Sequence, residues 1–183
     1  PDDSNHEGRV LRLKQEYFFV SAGLQSIVSQ HKETGRPLNE LHNYVAVHIN
    51  DTHPAVAIPE LMRILMDEEG MEWDEAWHVT QNTMSYTNHT IMSEALEKWQ
   101  VDLFKDLLPR IYLLIEEIDR RFRETLTIKF GENYDQIEKM AIISGGYVKM
   151  AHLCIHGTHS INGVAKRHTE LRKSQELKDF YML

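Results

Sequence analysis

Apolar residues recur every three or four positions over the opening stretch of the chain: Val10, Leu13, Tyr17, Val20, Leu24, Ile27 and Val28 fall at helical spacing. That period marks one face of an amphipathic helix. It predicts a helix from Arg9 to about His31, after a polar loop over residues 1–8. Lys32 to Asn43, with Gly35 and Pro37, reads as a loop. The pattern then changes. Tyr44-Val45-Ala46-Val47 is a short apolar run of strand type, followed by the polar cluster His48-Ile49-Asn50-Asp51-Thr52-His53-Pro54. Asn50 and Asp51 stop the strand, because their short side chains bond the local backbone. Pro54 biases His53 away from helical geometry. The cluster is therefore expected at the carboxyl end of a buried strand, the edge where open α/β sheets bind ligands.

Helical spacing returns over Ile58–Glu69, with Pro59 in the first turn and Gly70 as a C-terminal cap. A further helix is expected over Asp74–Met84, with Ala76, Trp77 and Thr80 inward. Ser85–Asn88 reads as a short strand leading to a second polar loop, Tyr86-Thr87-Asn88-His89-Thr90, which should face the same pocket as the first. Glu94 to Trp99 suggests a helical turn. A long helix is predicted from about Leu103 to Phe130, kinked or restarted at Pro109. Tyr134–Met140 follows as a helical turn and Gly145-Gly146 as a loop. The apolar run Tyr147–Ile155 is ambiguous in period; the reading adopted is a strand centred on His152–Ile155, then a helix from Ser160 to Lys173. Strands separated by helices define an α/β layered domain with parallel strands, here rich in helix.

Composition narrows the function. Over 183 residues, 42% are hydrophobic and 26% charged, the profile of a globular chain able to bury a core. A net charge of −8 argues against a sequence-independent nucleic-acid binder. The one cysteine, Cys154, lies in an apolar run, so neither a disulfide framework nor a thiolate zinc site is available. No apolar run approaches the roughly 20 residues that span a bilayer, and the amino terminus is unlike a signal peptide, so no membrane partner is expected and the cytoplasm is the expected compartment. The chain opens on Pro1 and stops at Leu183 in mid-pattern, as an excised piece of a longer protein would.

Three constellations could carry chemistry. His48, Asp51 and His53 are ordinary metal donors, but in an extended segment His48 points away from Asp51, and the spacing is not that of a helical zinc site. Substrate hydrogen bonding is the preferred role. His89, in a loop surrounded by hydroxyl and amide groups, is the best candidate for acid–base work. The stretch Gly157-Thr158-His159-Ser160-Ile161-Asn162-Gly163 could place a phosphate at a helix amino terminus, although Gly163 is equally explained by tight packing. Cys154 and the serines form no nucleophilic motif. The mixed charges Glu116 to Glu124 read as a solvated helix face.

Several long motifs, in order, resemble the glycogen/maltodextrin (α-glucan) phosphorylases. They are Leu11-Arg12-Leu13-Lys14-Gln15-Glu16-Tyr17-Phe18, Asn50-Asp51-Thr52-His53-Pro54 with Ile58–Arg63, Tyr86–Thr90 with Glu94-Ala95-Leu96-Glu97, and Met150-Ala151-His152-Leu153 through Asn162-Gly163-Val164. The resemblance implies a single partial domain over residues 1–183: the later, helix-rich part of the amino-terminal Rossmann-like domain of a GT-B enzyme. Such enzymes phosphorolyse α-1,4-glucans or maltooligosaccharides with inorganic phosphate, releasing glucose 1-phosphate. They use pyridoxal phosphate, whose attachment lysine lies in a carboxyl-terminal domain outside this chain. It further implies a homodimeric parent, and a fragment inactive alone.

By position, His89 would be the catalytic-site histidine, bonding the reacting glucose, with its backbone carbonyl near the developing positive charge. Val164 would contact the same sugar. Asp51 and His53 would bind glucose or acceptor-side sugars, with Thr90 and Glu94 in the same lining. No metal is implied. Glu116 stands where animal enzymes present a tyrosine to a glycogen-storage site, and the loop Lys32–Asn43 lacks an arginine-rich entry for AMP. Both departures suggest a bacterial-type enzyme. The rival reading is a stand-alone carbohydrate-binding or structural module without catalysis.

Overall fold

The computed structural model describes residues 3–90 and 95–163. The chain opens on helix α1 (His6–Glu33), whose first turn is closed by the Asn5 side chain accepting from the Gly8 amide at 2.7 Å. This is an ordinary N-cap that satisfies a donor with no intrahelical partner. The buried positions Leu13, Leu24 and Val28 lie on the predicted stripe. Part of the expected loop that follows is a 3-10 turn, Leu38–Asn43, which packs against α3 (Trp73–Thr83).

The first strand, β1 (Val47–Asn50), begins three residues later than the apolar run suggests. The amides of Tyr44 and Val45 both bond the Leu41 carbonyl, so the start of that run is held by the 3-10 turn instead. Only Ile49 of β1 is fully buried. After β1 the chain reverses at Asp51, which has φ 64°; among residues other than glycine, Asp and Asn tolerate this conformation best. Helix α2 (Ala57–Arg63) then widens into a π turn over Ile64–Glu68 and ends at Gly70, whose φ of 73° suits the predicted cap. β2 (Met84–Asn88) leads directly out of α3.

β3 (Lys98–Gln100) replaces the helical turn expected over Glu94–Trp99, of which Glu94 lies outside the described residues. Its conformation is imposed by a partner distant in sequence. It pairs antiparallel with β5 (Tyr147–Lys149), which turns back on β4 (Ile143–Ser144) through Gly145-Gly146. Both glycines have positive φ, 59° and 79°, the requirement of a tight two-residue hairpin. The long helix is two: α4 (Val101–Leu107), then α5 (Pro109–Phe130) restarting with proline in its first turn. Asn133 caps α6 (Tyr134–Met140). Asp119 of α5 accepts from the Ile142 amide at 2.7 Å and from Arg123 at 2.8 Å, anchoring the chain that enters the hairpin.

The strand expected at His152–Ile155 is helix α7 (Met150–Gly157), and the strand falls at β6 (Ser160–Gly163), where a helix was expected to start. Met150 through Cys154 are all buried. A helix enclosed on every side has no polar face, so its sequence lacks the period that would identify it. Residues 164–173 of the expected helix lie outside the described residues.

Strands β1, β2 and β6 form a parallel sheet in the order β1-β2-β6, confirming the α/β class. The antiparallel ribbon β3-β5-β4 is a second sheet that the periodicity did not predict. The core joins α1, α2, α3, α5 and α7 through Leu13, Ile58, Leu61, Val79, Ile115 and Leu153. Between α1 and α2 lies a buried carboxylate. Glu60 accepts from Tyr17 (2.9 Å), Ser21 (2.7 Å) and Arg63 (2.8 Å twice), tying α1 to α2. α7 approaches α2 so closely that a Cβ on Gly157 would lie 2.7 Å from Ile58.

Candidate functional site

Parallel pairing decides which polar residues meet. Asn50 is in register with Thr87, and Asn88 with Gly163, so β1, β2 and β6 all deliver their carboxyl ends to one edge. The Asp51 amide continues the ladder by donating to the Thr87 carbonyl at 2.8 Å, and the chain then turns away. Two polar loops, 39 residues apart at Asn50 and His89, therefore leave the sheet side by side.

At this edge His89 is exposed, and its Nε2 lies 2.5 Å from Oδ1 of Asn50. Asn88 behind it is fully buried and accepts from the Thr90 amide at 2.8 Å, so Thr90 is held by its backbone. The Asp51 carboxylate accepts from the Thr52 amide at 2.7 Å. Thr87 donates to the Asn162 side chain across to β6. Val164, which follows β6, and Glu94 lie outside the described residues.

His48 belongs to β1 itself rather than to the loop. Its ring nitrogens lie 2.9 Å from the Ser85 hydroxyl and 2.7 Å from the Thr87 hydroxyl, a cross-strand arrangement that turns it away from Asp51 and His53. The three residues do not converge as a metal triad. His53, with its side chain 64% exposed, pairs instead with Glu97, at 3.2 Å from Nδ1 to Oε2.

Glu97 was not singled out by its chemistry in the sequence, yet it is the most heavily bonded side chain near the loop. Its oxygens also accept from the Thr52 hydroxyl and the Trp99 indole, each at 2.8 Å. Behind it stands Glu16 of α1, whose carboxyl is pushed up to about 9, first by burial and then by the charge of Glu97. A carboxylate among the inward positions Leu13, Glu16 and Tyr17 was a readable signal, since such a group must find a partner or a proton. A cavity of about 570 Å³ opens beside these groups, lined by Arg12, His53, Glu97 and Tyr147 among others; neither Asp51 nor His89 forms part of its wall.

The remaining reactive groups are structural. Cys154 is fully buried, and burial raises its thiol well above the usual range, leaving it protonated and inert. His152 is buried and held near 4 by that burial, while its Nδ1 bonds the Ala141 carbonyl at 3.0 Å. Among the described residues, no helix is long and apolar enough to cross a membrane.

Fold and edge together define an α/β sheet protein whose hydroxyl, amide, imidazole and carboxylate groups gather where such sheets bind ligands. The model of the carbohydrate phosphorylase family matches residues 1–183, and the chain belongs to that family. It is 57% identical over 183 residues to a glycogen phosphorylase of Bacillus subtilis (strain 168), covering 100% of this chain and 23% of the relative. Glycogen phosphorylase 2 of Dictyostelium discoideum is 50% identical, covering 99% and 18%. The human muscle form is 47% identical, covering 100% and 23%. The chain thus spans less than a quarter of the length of these relatives.

Proposed function

We propose that this chain is part of an α-glucan phosphorylase and forms one wall of its glucan site. The convergence of the Asp51 and His89 loops at one sheet edge, with the His89 ring against Asn50, carries this reading. In it His89 bonds the reacting glucose, and its backbone carbonyl stabilises positive charge developing on the sugar; a fixed dipole needs no reorganisation as that charge appears. Asp51, His53 and Thr90 hydrogen-bond glucose or neighbouring sugars, and Val164 and Glu94 join them from outside the described residues. Neutral hydroxyl, amide and imidazole groups suit a polyol, and no metal ion is required.

Phosphorolysis of an α-1,4-glucan to glucose 1-phosphate needs a second wall, supplied by the carboxyl-terminal domain of a GT-B enzyme. Pyridoxal phosphate belongs there, where its phosphate group supplies proton transfer. This chain's part is to bind and orient sugar. The parent is read as a cytoplasmic homodimer of bacterial type.

The deciding assay is glucose 1-phosphate release from maltoheptaose and phosphate. This chain with added pyridoxal phosphate should be silent. The full-length protein should turn over, and His89→Ala in it, which keeps the backbone carbonyl and removes only the ring's bond to the sugar, should lower kcat/KM by about tenfold, the scale of one hydrogen bond of ~1.4 kcal/mol. Turnover by this chain alone would overturn the half-site reading. Tight maltooligosaccharide binding by the chain alone would favour a stand-alone binding module.

A further inference from the structure

Two carboxyl groups meet beneath the proposed sugar-binding loop. Glu97 is engaged on every side: Oε2 accepts from Thr52 and pairs with His53, Oε1 accepts from Trp99, and its backbone carbonyl accepts from the Met150 amide at 3.1 Å. These donors favour Glu97 as the charged member of the pair. Glu16 is its opposite. Both its carboxyl oxygens are sealed from solvent, and no N–H or hydroxyl of the described residues donates to them. Ligand atoms of Glu16, His53 and Glu97 all lie within 4.8 Å of one another. Two carboxylates so close cannot both ionise without large cost. One proton between them resolves the conflict: Glu16 as a neutral acid donates one hydrogen bond, and Glu97 accepts it.

We propose that Glu97 is the positioning residue for the loop Asp51–His53, and that a proton shared between Glu16 and Glu97 fastens that loop to α1. The proposal rests on the reading of Asp51 and His53 as sugar-binding residues. Glu97 touches no reacting atom. It acts by fixing the Thr52 hydroxyl and the His53 ring, and hence the direction in which Asp51 and His53 face. The charged and titratable groups around the pair are Arg12 on α1, Asp3 (which holds Arg12 at 2.8 Å), His53 on the loop and the buried Cys154 on α7. Arg12 favours loss of the Glu16 proton only weakly, because its own charge is already bonded to Asp3. With the Glu16 carboxyl pushed up to about 9, the proton is held at neutral pH and released in alkali. Above that point two negative charges face each other, and Glu97 loses its hold on α1.

Trp99 reports on this contact directly, because its indole N–H donates to Glu97. Fluorine spectra of the 5-fluorotryptophan-labelled protein, with the resonance assigned by Trp99→Phe, should show that signal titrating in the alkaline range. In Glu16→Gln the side-chain amide donates to Glu97 without a titratable proton, so the titration should vanish while the neutral-pH signal stays in place. In Glu16→Ala the high-pH signal should be present at every pH. In the full-length protein, maltoheptaose Kd should rise about fivefold between neutral pH and the end of that titration, and less than twofold in Glu16→Gln. No titration above pH 6, or an unchanged one in Glu16→Gln, overturns the proposal. Failure of the sugar-binding reading has a different signature: no maltoheptaose binding at any pH, with the fluorine titration still present and still lost in Glu16→Gln.

Discussion

Oδ1 of Asn50, the last residue of β1, lies 2.5 Å from Nε2 of His89, the residue after β2. A carbonyl oxygen can only accept, so Nε2 carries the proton in this contact. The strand register thereby selects one tautomer of the proposed sugar-binding histidine. Asn50→Ala in the full-length protein should lower kcat/KM for maltoheptaose about fivefold, the equivalent of one hydrogen bond of ~1 kcal/mol. Fold and cofactor content should be unchanged. An unaltered kcat/KM would show that Asn50 does not set the ring.

Glu60 supplies a test of stability away from the site. It is fully buried, and removing it leaves Arg63 with Glu68 as its remaining carboxylate partner and the Tyr17 and Ser21 hydroxyls without their acceptor. Breaking a buried pair from one side costs about 3–5 kcal/mol. Glu60→Ala should therefore lower the urea midpoint sharply or prevent folding. Glu60→Gln keeps two acceptor lone pairs and should cost clearly less.

The contact between α7 and α2 permits no added atom. Gly157 has ordinary backbone geometry, so the constraint is space alone: a methyl group would meet two Ile58 carbons at 2.7 and 2.8 Å. Gly157→Ala should destabilise by about 1–3 kcal/mol, the usual range for overpacking. Ile58→Ala added to it should restore part of that loss, and strict additivity in chemical denaturation would exclude the direct clash.

His152 predicts the acid limb of stability. Burial depresses it to about 4 from an ordinary 6.5. Between those values the unfolded chain binds a proton that the folded chain does not, so stability falls as pH drops from 6.5 towards 4. Glu16 acts in the opposite sense: with its carboxyl raised to about 9, the folded state holds the extra proton, and stability falls as pH rises from about 4.5 towards 9. Thermal midpoints measured across pH 4–9 should show the alkaline limb flattened in Glu16→Gln and the acid limb partly flattened in His152→Gln, the remainder being carried by His156, which burial also holds near 4. Identical pH profiles for wild type and both variants would contradict these assignments.

Local pattern determined most of the helices in this protein, because an amphipathic face writes its period into the chain. The stripe Leu13–Leu24–Val28, the cap at Gly70, the restart at Pro109 and the Gly145-Gly146 turn all follow from neighbouring residues alone. The two polar loops could likewise be read as neighbours at the carboxyl ends of parallel strands. Tertiary structure decided the rest. β3 and β5 are strands because they pair with each other from opposite sides of α4, α5 and α6, and no window of a few residues contains that information. α7 is enclosed by other elements, so burial on every face erased the period that would have told helix from strand. Glu97 acquires its importance only when Glu16 of α1, Thr52 and His53 of the loop after β1, and Trp99 of β3 surround one carboxylate. Residue types and spacing specify what a side chain can do; the packing of distant segments specifies which partner it does it with.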